Sequence, residues 1–78
     1  MNTGGKLTFG ERAVGLTFNP SGDETVLALK QKAAEFIDAC HALREAATDP
    51  EVKRMYSVAI TEAQTAQMWA VKAATWRG

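Results

Sequence analysis

Lys72 lies between two tryptophans in the run Trp69-Ala70-Val71-Lys72-Ala73-Ala74-Thr75-Trp76. A second lysine, Lys30, follows the turn-forming segment Phe18-Asn19-Pro20-Ser21-Gly22-Asp23. Aromatic rings, ammonium groups, a threonine and free amides at a helix start are the parts that hold nucleobases by stacking and phosphates by charge. Composition alone does not select that chemistry. Lys72 and Thr75 also read as solvated groups at a helix end, and Asn19 to Asp23 as a plain helix cap. Lys30 and Lys32 stand near a helix start, where the helix dipole favours acids. A cation there is slightly off pattern and hints at an anion nearby.

No catalytic constellation accompanies these residues, and no enzymatic activity is expected. Cys40 and His41 are sequence neighbours, and helical neighbours point about 100° apart, so they do not form a nucleophile–base pair. His41 has no second ligand four residues away, and Cys40 is the only cysteine, so neither a metal site nor an intrachain disulfide is expected. Between Ile37 and Leu43, Cys40 reads as a buried structural residue. No glycine-rich phosphate loop is present. No cofactor is implied.

The elements that must position the two lysines come from a chain of 78 residues, enough for one domain. Hydrophobic residues make up 46%, but many are alanines, each of which buries little area, so self-association is expected. Nine Lys and Arg balance nine Asp and Glu, which argues against a DNA or RNA polymer as partner. No apolar run approaches the ~18 residues of a membrane span, and no signal-peptide core follows Met1. The chain reads as soluble and intracellular, with no membrane partner.

Residues 1–18 are expected to form an N-terminal arm. Leu7-Thr8-Phe9 and Gly15-Leu16-Thr17-Phe18 have β-like composition, and a lone pair of short strands is unstable, so the arm is expected to be extended against a partner surface. Residues 19–78 form the second part. Ser21 or Asp23 caps a first helix from Glu24 to about Ala47, with an apolar stripe of Val26, Leu29, Ala33, Phe36, Ile37, Cys40, Leu43 and Ala47. Asp49 as cap, Pro50 at the first helical position and Glu51 in the first turn start a second helix that runs to about Trp76. The short connection makes an antiparallel hairpin, and the fold class is all-α. Ala59, Ala63, Ala66, Ala70 and Ala73 recur at helical spacing, a stripe that admits another helix backbone at close range.

The segments Gly15 to Asp23, Val26, Leu29-Lys30, Ala59-Ile60-Thr61 and Ala66-Gln67-Met68-Trp69-Ala70-Val71-Lys72-Ala73 together resemble the small phage sponge proteins of the second anti-CBASS class. These proteins defeat cyclic-oligonucleotide-based antiphage signalling in the cytoplasm of the infected bacterium by sequestering its messenger without cleaving it. The resemblance implies helical hairpins assembled into a homohexamer, with cyclic dinucleotides bound between protomers and cyclic trinucleotides at separate sites. It matches Lys30 to the lysine that meets dinucleotide phosphates. Lys72 falls where the family usually has an arginine associated with the trinucleotide site, and lysine lacks the arginine's bidentate fork. The family's stacking tyrosine is absent from the arm, where Phe18 or Phe9 would take its place. The ligand-binding set expected is thus Lys30, Phe18, Asn19, Ser21 and Arg12, with Lys72, Trp69, Thr75 and Trp76. The alternative is a helical-hairpin structural or protein-interaction module with no nucleotide ligand.

Overall fold

The computed structural model describes residues 6–78, and the expectations for Met1–Gly5 fall outside them. Three helices follow one another: α1 (Phe9–Ala13), α2 (Glu24–Ala46) and α3 (Pro50–Ala74), with no strand among the described residues. Each long helix starts where a carboxylate meets free amides. Asp23 accepts from the amides of Thr25 at 2.8 Å and Val26 at 3.2 Å. Asp49 does the same for Glu51 at 2.9 Å, one residue before Pro50. Ser21 takes no part in the cap. At the other end of α2, the Lys53 ammonium donates to the Arg44 carbonyl at 2.9 Å, a cation on the last carbonyls of a helix. The Arg44 guanidinium donates to Ser57 Oγ at 3.0 Å and ties the two arms of the hairpin together.

The stretch expected as an extended arm is instead a short helix, packed on its own chain. Thr8 and Glu11 form a reciprocal capping box: Thr8 Oγ1 accepts from the Glu11 amide at 3.0 Å, and Glu11 Oε1 from the Thr8 amide at 2.9 Å. Gly10 brings α1 against α2 so closely that a Cβ there would collide with the Ala34 carbonyl oxygen. The Gly10 amide donates to Asp38 Oδ1 of α2 at 2.7 Å. Phe9 stacks on His41 with ring centroids 4.1 Å apart, and Arg44 both covers Phe9 and donates to His41 Nδ1. Local β-like composition loses to these tertiary contacts.

The core is Val14, Ala34, Ile37, Cys40 and Ile60, flanked by Phe9, Ala13, Leu16, Tyr56, Ala59 and Ala63. Cys40 is buried and free, as its neighbours suggested. The buried face of α2 is rotated from the expected stripe: Val26, Lys30, Ala34, Ile37 and Cys40 are inside, while Phe36 and Leu43 are exposed. On α3, Ala59 and Ala63 pack against the core, but Ala66 and Ala73 are exposed. The alanine stripe therefore meets α2 over only part of its length.

Candidate functional site

Between α1 and α2 the chain makes two tight reversals. Gly15 adopts φ 63° and Gly22 φ 66°, the left-handed region that glycine enters freely. The Asn19 carboxamide closes the second turn, donating to the Asp23 carbonyl at 2.9 Å and accepting from the Asp23 amide at 3.2 Å. Lys30 holds the first. Its ammonium donates to the carbonyls of Gly15 at 2.9 Å and Phe18 at 2.6 Å, and the residue is only 5% exposed. An ammonium carries three protons, and these two bonds use two of them. Among the described residues no carboxylate stands within 4.0 Å of it, and the ion pair formed is the remote Glu51–Arg54. A buried cation ordinarily has a partner charge.

This cation lies at the base of a cleft of about 470 Å³, lined by Phe18, Asn19, Pro20, Ser21, Val26, Lys30, Val71 and Thr75. The antiparallel hairpin makes it, because the end of α3 lies beside the start of α2. Phe18 is 73% exposed, with its ring centroid 5.5 Å from the Lys30 ammonium. Thr75, at the end of α3, returns its hydroxyl proton to the Val71 carbonyl at 2.9 Å and keeps its oxygen as an acceptor.

On another face at the end of α3, Trp69, Lys72, Ala73 and Trp76 line a second cleft of about 440 Å³. The Lys72 ammonium lies 5.1 Å from the Trp69 ring centroid and 5.7 Å from that of Trp76. Both tryptophans are more than 60% exposed. Two large aromatic rings in solvent beside a cation form a surface of the kind that binds something.

Of the residues expected from sequence, the fold gathers Lys30, Phe18, Asn19, Ser21 and Thr75 in the first cleft and Lys72, Trp69 and Trp76 in the second. Arg12 belongs to neither; its guanidinium donates to the Leu7 carbonyl at 3.0 Å. Phe9 is occupied by His41, so Phe18 is the aromatic open to a ligand in the first cleft. Pro20, Val26 and Val71 complete that wall, and the sequence did not mark them as ligand-binding residues. The burial of Lys30 had a signal, since it stands four residues after Val26 and seven before Ile37, on the apolar face itself.

The sequence matches the family model described as Acb2/Tad1, hairpin domain, over residues 11–75, from α1 to the last residue of the first cleft. The chain belongs to the Acb2/Tad1 family. That family is the anti-CBASS sponge family, whose members act by binding, and the all-helical hairpin seen here is its domain. No curated protein and no solved structure matches the chain. Within this Acb2/Tad1 hairpin no helix of the described residues is long and apolar enough to cross a membrane. No group of three or more metal-ligating side chains occurs among those residues either.

Proposed function

We propose that this Acb2/Tad1 hairpin is a phage sponge that sequesters cyclic oligonucleotide second messengers intact, and so blocks CBASS immunity in the cytoplasm of an infected bacterium. The observation that supports this most is the Lys30 ammonium, buried without a carboxylate at the base of a cleft. A phosphodiester supplies the missing negative charge. Asn19, Ser21 and Thr75 offer neutral polar groups around it, and Phe18 offers a base a flat surface. At about 470 Å³ the cleft has the size of a small-molecule site. It is open on one side, so a cyclic dinucleotide is fully enclosed only when a second protomer closes over it, in keeping with the homohexamer that the family resemblance implies.

Cyclic trinucleotides are assigned to the Trp69–Lys72–Trp76 cleft, where two rings and an exposed ammonium suit several bases and a phosphate. Cleavage is not expected. The first cleft presents a serine and a threonine but no histidine or carboxylate to take a proton from either.

Calorimetry tests the assignment. A cyclic dinucleotide should bind the wild-type protein, and the wall variants Ser21→Ala and Thr75→Val should weaken it several-fold with melting unchanged. Its linear counterpart should bind at least tenfold more weakly. Absence of binding to any cyclic di- or trinucleotide would leave the helical module with no nucleotide ligand.

A further inference from the structure

His41 of α2 joins α1 to the hairpin. The Phe9 ring of α1 stacks on its imidazole, with centroids 4.1 Å apart and the planes 4° from parallel. Arg44 brings Nη2 to 3.2 Å from His41 Nδ1 and sends Nη1 to Ser57 Oγ of α3 at 3.0 Å. The same guanidinium lies over Phe9, 5.7 Å from the ring centroid. Guanidinium nitrogens only donate, so Nδ1 must accept, and the imidazole is neutral with its one proton on Nε2. A second proton would sit on Nδ1 and face the N–H of a permanent cation.

The surroundings offer the imidazolium little in return. Among the described residues the ion pair formed is Glu51–Arg54, so no carboxylate oxygen stands within 4.0 Å of the ring. On α2, Asp38 is spent on the Gly10 amide at 2.7 Å, and Glu45 is exposed. On α1, Glu11 turns back to the Thr8 amide and Arg12 to the Leu7 carbonyl. On α3, the Lys53 ammonium already serves the Arg44 carbonyl, at the helix end that would otherwise favour a positive histidine. The face of Phe9, which attracts cations, already carries Arg44.

We propose that His41 is a proton-sensitive clasp for α1. Neutral, it locks the short helix to the hairpin; protonated, it repels Arg44, opens the stack on Phe9 and lets α1 lift. The effect reaches the first cleft, because α1 runs through Val14 into the Gly15–Phe18 turn whose carbonyls accept from Lys30. A docked state that excludes a proton which the lifted state accepts loses stability as pH falls. Free imidazoles change charge between about pH 5 and 8, so docking is full at the alkaline end of that window and weakens toward the acid end. The consequence for a ligand rests on the sponge reading, whereas the clasp itself does not.

Long-range proton–nitrogen NMR on the full chain at pH 7.5 should find Nε2 protonated and Nδ1 bare. A proton on Nδ1, or two averaged tautomers, overturns the clasp. On titration to pH 5.5 the Gly10 amide resonance, which reports the bond to Asp38, should move with the same midpoint as the imidazole. A Gly10 amide that stays in place overturns the clasp as well. Between the same pH values the melting temperature of wild type should fall roughly 4–8 °C further than that of His41→Asn, whose carboxamide oxygen replaces the Nδ1 acceptor and takes no proton. Equal falls overturn the proposal, and if His41→Asn does not fold, the wild-type NMR titration decides alone. Calorimetry with a cyclic dinucleotide should show several-fold weaker binding at pH 5.5 than at pH 7.5 in wild type, and equal binding in His41→Asn. Equal binding by wild type while the Gly10 amide moves would overturn the link to the cleft and leave the sponge reading standing. No binding at either pH would overturn the sponge reading and leave the clasp.

Discussion

Lys30 and Lys72 lie at the same end of the hairpin, yet the fold treats them in opposite ways. Lys30 is buried, bonded to two carbonyls of the preceding turn, and short of a counter-charge. Lys72 is exposed and flanked by two tryptophan rings, Trp69 on its own helix and Trp76 just past the helix end. Removing the first disturbs the turn that forms the wall of its own cleft. Removing the second disturbs nothing but a surface. A lysine that lines a cleft can thus be part of the fold, and its loss is then more than loss of a ligand contact.

The largest effect on melting should come from Gly10→Ala, which carries no ligand chemistry. The added methyl collides with the Ala34 carbonyl, and α1 must lift from α2. Overpacking of this kind costs about 1–3 kcal/mol or more, and roughly 4–8 °C of melting temperature is lost per kcal/mol in a domain this small. Circular dichroism should show a drop on the order of 10 °C. Dinucleotide binding should fall with it, because the Gly15–Phe18 turn follows directly from α1. An unchanged melting curve would detach the first cleft from α1.

Lys30→Met comes next. Its ammonium holds two carbonyls of the Gly15–Phe18 turn as well as facing the cleft, so both stability and binding should respond. Leaving a phosphate unpaired in a desolvated site costs about 2–5 kcal/mol, so calorimetry should lose the dinucleotide. Stability should also fall, by about 1–3 kcal/mol for the stranded carbonyls, and the melting temperature with it. Full stability would make Lys30 a ligand contact only.

Lys72→Ala should sharpen the contrast. Its melting temperature should stay at the wild-type value, since exposed substitutions usually stay within about 0.5 kcal/mol. Dinucleotide binding should be spared, and trinucleotide binding should weaken about tenfold or less, the worth of a cation on aromatic rings. Equal loss of both ligands in both lysine variants would merge the two clefts into one site.

The smallest effect lies far from either cleft. Hydrogen bonds from Arg54 hold the Glu51 carboxyl below its ordinary value of 4.5. The stability this pair adds is therefore present above the unfolded carboxylate pKa and lost as pH falls through the lower folded value. Both side chains are exposed, so the gain is slight. A carbon-detected titration should place the Glu51 midpoint below 4.5, and a midpoint at or above it would mean the pair does not form in solution.

Much of the hairpin was legible because its signals are local. Asp23, Asp49 and Pro50 announce helix starts without help from distant residues. The arm was misread because Leu7-Thr8-Phe9 carries strand-like side chains. The deciding features were the three-residue spacing of Thr8 and Glu11 and the close approach of Gly10 to a helix 24 residues away. Only the first of these can be seen in the sequence. The lysines and aromatics of both clefts stood out as residue types, but their division into two groups is a product of α3 turning Val71 and Thr75 one way and Lys72 and Trp76 another. Gln67 gave no signal at all, since a glutamine among alanines reads as a surface residue until its burial is known.

A mass balance decides whether the protein holds a cyclic oligonucleotide and gives it back unchanged. The protein is incubated with a cyclic dinucleotide, freed of unbound ligand by filtration, heated to release what it holds, and the released material is quantified by chromatography. Retention by the protein followed by recovery of the intact cyclic molecule is the predicted result. Failure to retain it would rule out a sponge for this ligand, and release of a linear product absent from a buffer control would make the protein a nuclease.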